Sequence, residues 1–312
     1  MRQLLPPAET SRVTVIGHGA RRSTRRELLL RLSPTARWLS VETDDERIAR
    51  YIGTAYGALA VEAPPANVSA DRAVLNTATA PTTVLFNDEP LPRDGGEQGA
   101  RKNPWSSGAY LVDQFVWRSL AADADWMSLY GCAALVAGRA VIIVGESGVG
   151  KTTLGLALTR HGAAIYGDEM IVVHRRTGVL TAISRKLTIH RGSLELLEDE
   201  ELRETIRRNS ETIGSQAAGI LAFNARALGP MPVPLALGAV VIVRRGDGEP
   251  RLTPLSTSRT ALAVAPYLTL RPRDLASVAE LAEMLRSAAT YSLTAGRPRE
   301  TAAALADGLA AC

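Results

Sequence analysis

The chain has 312 residues, 46% of them hydrophobic and 22% charged, and a formal net charge of +4 from 36 Lys and Arg against 32 Asp and Glu. That is the composition of a soluble globular protein with room for one large domain or two ordinary ones. Two cysteines, Cys132 and Cys312, exclude a disulfide framework and a zinc site, and the longest uncharged apolar stretch, Val233 to Val243, is too short to span a bilayer.

The N-terminus lacks the charged-then-apolar pattern of a signal peptide, so a cytoplasmic location is the expectation. Arg21, Arg22, Arg25 and Arg26 form the densest basic cluster, and with "STRRELLLRL" they read as a solvated helix face. No aromatic residues interleave them to stack bases, so nucleic acid is not an expected partner. His18, in "VIGHGARR", reads as a turn residue. From Val13 to Phe86 the apolar segments "VTVIG", "ARWLSVET", "ALAVEA" and "TTVLF" alternate with polar stretches, the pattern of a small α+β module. Residues 87–107, rich in Pro, Gly and charge, read as a connection, which gives an N-terminal module over 1–108 and a larger domain over 109–312.

Leu111, Phe115, Val116 and Leu120 recur at helical spacing and predict a helix over Tyr110–Ala122. Two strands, "SLYGCAALVA" and "AVIIVG", then flank a turn at Gly138-Arg139. Beyond "VIIVGESGVGKTTLGLAL" (Val141–Leu158), His161-Gly162 is a C-terminal cap. A strand, the acidic pair Asp168 and Glu169, and two strands joined by the turn "RRTG" follow. A four-residue turn makes those two strands antiparallel, so the sheet is mixed. Ser193 is the expected N-cap of "LELLEDEELRETIRR". "LGAVVIVRRGDGEPRLTPLS" reads as a hairpin turning at Gly246-Asp247-Gly248, and helices centred on Thr260–Tyr267, Leu275–Ser287 and Glu300–Leu309 close the chain.

Val141–Leu158 carries the chemistry. A β-branched run enters G-x-x-x-x-G-K-[ST] over Gly145–Thr152, and an apolar-periodic helix follows. Glycines let the backbone N–H groups turn inward around an anion, and the helix N-terminus adds partial positive charge. Gly145, Glu146, Ser147, Gly148, Val149, Gly150, Lys151, Thr152 and Thr153 would therefore cradle a nucleotide triphosphate, with Lys151 on the β- and γ-phosphates and the Thr152 hydroxyl on Mg²⁺. Asp168 stands only 17 residues beyond Lys151, and the guanine-selecting N-K-x-D is absent. Of Asp168 and Glu169, one carboxylate can hold Mg²⁺ and the other can accept a proton from an attacking hydroxyl. Arg185, Lys186, His190 and Arg191 crowd into seven residues. Strand parity puts Lys186 with Thr188 and His190 on one face, and Arg185 and Arg191 with Leu187 and Ile189 on the other. Lys186 and Arg191 are the cations chosen to neutralise the transferred phosphoryl group; an edge strand guarded by charge is the competing reading.

The segment "MSLYGCAALVAGRAVIIVGESGVGKTTLGLALTRHGAAIYGDEMIVVHRRTG", Met127–Gly178, resembles the HPr serine kinase/phosphorylase family and its HprK-related members. That resemblance implies an α/β fold: a mixed-sheet P-loop kinase domain similar to phosphoenolpyruvate carboxykinase, with a smaller N-terminal α+β module. It also implies an ATP- and Mg²⁺-dependent kinase acting on a hydroxyl, the expected acceptor being a Ser or Thr of a protein or biosynthetic precursor peptide. The chain departs from the family at Tyr130, where the family has histidine, and at Glu169, where it has a second aspartate. The alternatives are a metabolite kinase and a nucleotide-binding regulatory protein whose catalysis has decayed. Assembly as a homo-oligomer is left open.

Overall fold

The computed structural model describes residues 26–33, 35–61, 68–76, 83–90, 104–213, 219–246, 248–269 and 275–311. His18, Arg21, Arg22 and Arg25 lie outside them, as do "VTVIG", most of the expected connection, and Asp247.

Among the described residues the N-terminal part is a six-stranded sheet with one α-helix. Its elements are β1 (Arg26–Arg31), β2 (Trp38–Thr43), α1 (Glu46–Tyr56), β3 (Ala60–Val61), β4 (Asp71–Asn76), β5 (Thr83–Phe86) and β6 (Glu89–Pro90). The strands lie in the order β3-β1-β2-β4-β5-β6, and β2 and β4 run parallel. "RELLLR" is thus a strand and not the expected helix face. Leu28 and Leu30 are buried at strand spacing, and all six residues pair with β2. Asn87 and Asp88, expected to open a connection, instead make the tight turn between β5 and β6, both with positive φ. Asp45 caps α1 by accepting from the Arg47 N–H at 2.8 Å. Helix α2 (Pro104–Ala121) starts earlier than its periodicity suggests. Val112, Phe115, Val116 and Leu120 pack in one cluster with Leu30, Ile52, Tyr56 and Leu75, and this cluster also takes in Met170, Val172 and Ile183.

The second sheet has nine strands. In chain order the remaining elements are β7 (Trp126–Leu129), β8 (Cys132–Val136), β9 (Arg139–Val144), α3 (Lys151–Leu158), β10 (Ala164–Asp168), β11 (Ile171–His174), β12 (Val179–Ala182), β13 (Leu187–His190), α4 (Arg191–Glu195), α5 (Glu200–Arg208), β14 (Ser210–Ile213), β15 (Ile220–Phe223), β16 (Leu235–Arg245), β17 (Arg251–Pro254), α6 (Thr257–Val264), α7 (Leu275–Met284), β18 (Ala289–Ala295) and α8 (Pro298–Ala310). Strands β13, β15 and β14 form a small antiparallel sheet. The large sheet runs β10-β8-β9-β16-β12-β11-β7, with β18 on β16 and β17 on β18. It is mixed: β16 is parallel to β9 and β18, and the other ladders are antiparallel.

The expected strand "SLYGCAALVA" is two strands. Residues 126–136 and 164–174 form one antiparallel ribbon that bends at Tyr130-Gly131 and Glu169-Met170. One half of the ribbon pairs with β9 and the other with β12, so the sheet curls back on itself. The bend is fastened by the Glu169 N–H donating to the Gly131 carbonyl at 2.6 Å. Gly131 is required there by close approach, since a Cβ would meet the Ile143 carbonyl oxygen at 2.8 Å.

Side-chain alternation along β9 explains the layering. Val141 and Ile143 join the cluster under α3 and α8, while Ala140, Ile142 and Val144 join the one under α6 and α7. The turn before β9 is at Ala137-Gly138, both with positive φ, and Gly162 ends the helical segment in the left-handed conformation as expected.

Two further expectations are corrected. Asp199, not Ser193, caps the acidic-to-basic helix, accepting from the Leu202 N–H at 2.7 Å, and Ser193 lies inside the separate short helix α4. The segments β16 and β17 do not pair as a hairpin. Strand β18 lies between them, parallel to β16 and antiparallel to β17. Among the described residues no helix is long and apolar enough to cross a membrane.

The bend makes a paired stability prediction. Gly131→Ala should cost about 1–3 kcal/mol, the range for overpacking a filled site. Gly53→Ala, exposed in α1 with nothing within 4 Å of its would-be Cβ, should gain up to about 1 kcal/mol from helix propensity. Denaturant unfolding of the two variants checks both signs.

Candidate functional site

The loop between β9 and α3 stands at the end of a strand that has a parallel neighbour, β16. Crevices beyond the C-terminal ends of parallel strands are where open α/β sheets bind ligands. Gly150 is the N-cap of α3 with φ 100°, a conformation costly for any residue with a Cβ. A Cβ on Gly145 would strike the Val243 carbonyl oxygen at 2.7 Å, so the loop can lie this close to β16 only with glycine there. Arg245, at the end of β16, donates from Nη2 to the Gly148 carbonyl at 2.7 Å.

Lys151 is buried, and its Nζ donates to the carbonyls of Gly145 and Glu146, each at 2.9 Å. It lies 4.7 Å from the centroid of the Tyr130 ring, a cation–π contact. Burial lowers its pKa, opposed by the negative charge of Asp168. The Thr152 hydroxyl donates to Asp168 Oδ2 at 2.5 Å. The loop and the acidic pair, read separately in the sequence, therefore touch.

Asp168 ends β10 and is buried. Desolvation, then the charge of Glu169, push its carboxyl up to about 7, against the Thr152 hydrogen bond and the charges of Arg185 and Lys151. Glu169 has φ 66°, and its carboxylate turns to Arg185, with Oε2 2.7 Å from Nη1. Tyr130 sits at the same bend. Burial and then the two carboxylates push its phenol up to about 12, opposed by a hydrogen bond with Ser147. Neutral at physiological pH, it can donate a hydrogen bond but cannot shuttle a proton as imidazole does.

Four residues outside the expected set complete this corner: Arg185, Asp113, Tyr51 and Tyr56. The Arg185 side chain is 2% exposed, and its Nη1 also lies 3.6 Å from Asp113 Oδ2. Asp113, on α2, accepts from the hydroxyls of Tyr51, at 2.9 Å, and Tyr56. Tyr56 also lies under the Arg185 guanidinium, 5.4 Å from ring centroid to Cζ. The two cations that were selected lie elsewhere. Lys186 pairs with Glu211, and Arg191 begins α4 with its N–H bonded to the Gly219 carbonyl. Arg185 is buried with Leu187 and Ile189, with which strand parity groups it, whereas Arg191 is exposed.

Among the described residues no group of three or more His, Cys, Asp or Glu side chains is arranged to hold a metal. Thr152 and Asp168 supply one hydroxyl and one carboxylate, the hard oxygen donors that suit Mg²⁺ when phosphates and water complete its shell. The surplus of acid at Asp168 and Glu169, which raises the Asp168 pKa, is a second feature that a divalent cation would relieve.

No protein-family model matches the chain. The HPr kinase/phosphorylase of Lactobacillus delbrueckii subsp. bulgaricus is 40% identical over 67 residues, 22% of this chain and 21% of that protein. The match thus spans about a fifth of the relative's length. The solved HPr(Ser) kinase/phosphatase of Coxiella burnetii aligns with 58% of this chain and 95% of its own, at 10% identity and a TM-score of 0.31. Over those 67 residues the chain is similar to this HPr kinase/phosphorylase.

Proposed function

We propose that this protein is an ATP-dependent kinase that transfers the γ-phosphate to a hydroxyl, with a Ser or Thr of a protein or precursor peptide as the acceptor. The observation that carries the reading is the Thr152–Asp168 contact, which joins a glycine-rich strand-loop-helix to a buried carboxylate. The kinase named among its relatives supports it.

On this reading the loop amides from Glu146 to Thr153 and the N-terminus of α3 hold the phosphates. Lys151 exchanges the carbonyls of Gly145 and Glu146 for β- and γ-phosphate oxygens. Thr152 and Asp168 hold Mg²⁺, which when bound neutralises phosphate charge, and Glu169 contributes its charge from beside them. Asp168 accepts the proton of the attacking hydroxyl, as a carboxylate kept ionised beside bound metal and nucleotide can. Tyr130 and Arg185 flank the pair, the first as a neutral donor and the second as a fixed cation. The N-terminal sheet with α1 is the module that receives the acceptor and the nine-stranded part is the kinase domain; the expected boundary at 108/109 falls inside α2, which packs against the N-terminal sheet.

Two outcomes test the proposal. Lys151→Ala should abolish transfer and weaken ATP more than AMP, because AMP lacks the groups the lysine contacts. Equal loss of both nucleotides in a folded protein, read by calorimetry, would remove the loop as the triphosphate site. Asp168→Asn keeps shape but loses charge and basicity, so turnover should fall about a hundred- to ten-thousandfold, with ATP affinity changed far less than in Lys151→Ala. Turnover near normal at saturating nucleotide and metal would take the base role from Asp168.

A further inference from the structure

The buried corner behind the acidic pair is built from parts of the chain far apart in sequence. Glu169 comes from the ribbon bend, Arg185 from the segment between β12 and β13, Asp113 from α2, and Tyr51 and Tyr56 from α1. Arg185 Nη1 is 2.7 Å from Glu169 Oε2 and 3.6 Å from Asp113 Oδ2, yet it makes no aligned hydrogen bond. One guanidinium nitrogen is thus shared between two carboxylates. Its Nη2 is committed to the Thr188 hydroxyl at 2.6 Å and its Nε to the Lys186 carbonyl at 3.4 Å, and the plane lies against Tyr56. With these contacts fixed, the guanidinium has little freedom to turn toward either acid without moving the other. The next residue strengthens the link, since the Lys186 N–H donates to the Ala55 carbonyl at 2.9 Å, in the last turn of α1.

We propose that Arg185 is a positioning residue through which α1 and α2 set the orientation of Glu169, and so the geometry of the acidic pair. Asp113, held by two tyrosine hydroxyls, acts as the anchor on the far side of the guanidinium. A carboxylate at left-handed φ on a two-residue bend has few local restraints, and here the restraint is the arginine. The inference deepens the kinase reading: it makes the arrangement of the phosphoryl-transfer residues depend on how α1 and α2 are seated, so an acceptor that shifts these helices acts on the acidic pair without touching it. Arg185 does not contact the phosphate loop in this arrangement; it acts through Glu169.

Arg185→Met would strand two half-buried carboxylates and is a poor test, since the protein is liable to unfold. Asp113→Asn removes the anchor's charge while keeping an acceptor for the tyrosines. Arg72→Gln is the control: it breaks the exposed pairs with Glu42 and Asp88 on the N-terminal sheet and involves no residue of the network. Three readouts are taken on the full chain: unfolding midpoint, hydrogen exchange of the Glu169 and Met170 amides, and the kcat and KM of phosphoryl transfer. Asp113→Asn should speed exchange at these two amides and lower kcat about tenfold, as loss of a supporting partner does, with the KM for nucleotide within about twofold. Arg185→Lys, which keeps charge but not the shared geometry, should fall between. Arg72→Gln should leave exchange at the bend unchanged. Equal exchange at the bend in Asp113→Asn and the wild type would overturn the proposal, as would the same change in Arg72→Gln. If the wild type transfers no phosphate at all, the kinase reading fails, while the exchange comparison still decides whether α2 positions Glu169.

Discussion

The hydrogen bond from the Glu169 N–H to the Gly131 carbonyl, 2.6 Å long, fastens the bend on which the candidate site rests. An antiparallel ribbon that ran straight would carry Tyr130 and Glu169 out along one sheet. Folded there, it lets one half pair with β9 and the other with β12, and it leaves Tyr130, Asp168 and Glu169 at the fold, beside the strand that feeds the loop. Side chains at such a corner are aimed by backbone, not by loop plasticity, which is how rigid scaffolds hold reacting groups. The same corner requires a residue without a Cβ at Gly131 and a strained one at Glu169. Strain of this kind persists where surrounding structure over-determines it, and here the ladders on both sides and the Arg185 ion pair do so.

Charge balance is the second constraint. Lys151 and Arg185 bring two positive charges to the corner, and Asp113, Asp168 and Glu169 bring three negative ones, an excess of one. In a poorly hydrated site that excess has to be met by a proton or by a cation. The metal-free corner meets it by raising both Asp168 and Asp113 toward neutrality, burial being the largest cause for each. A metal beside Thr152 would meet it by charge, and on the proposed reading the corner alternates between these two conditions as metal nucleotide enters and leaves.

The sequence disclosed the parts of the site that are contiguous. The β-branched run, glycine loop and apolar helix lie within Val141–Leu158, and their order is itself the signal. The short interval to Asp168 likewise predicted one helix and one strand, which α3 and β10 are. What it concealed depends on partners distant in the chain. Nothing local to "SLYGCAALVA" says that the strand changes partners at Tyr130-Gly131, because a bend preserves alternation on either side. Strand β18, "ATYSLTA", is short and only moderately apolar between two helices, yet it separates β16 from β17. Arg185 reads no differently from Lys186 and Arg191 in the sequence, because its partners Glu169 and Asp113 lie on other elements. Two signals could have found the network: an arginine between the buried Ile183 and Leu187, and Asp113 as the one acid in the stripe Val112, Phe115, Val116.

The account turns on whether Thr152 and Asp168 hold the metal of a bound triphosphate. Mn²⁺, which takes the same oxygen donors as Mg²⁺, allows this to be measured by electron paramagnetic resonance. The full chain is titrated with Mn²⁺ alone, with ATP and with AMP, and again as Thr152→Val. The account predicts weak Mn²⁺ binding alone or with AMP, tight binding together with ATP, and loss of that synergy in Thr152→Val. Synergy that survives intact in Thr152→Val, or Mn²⁺ bound equally with ATP and AMP, would contradict it.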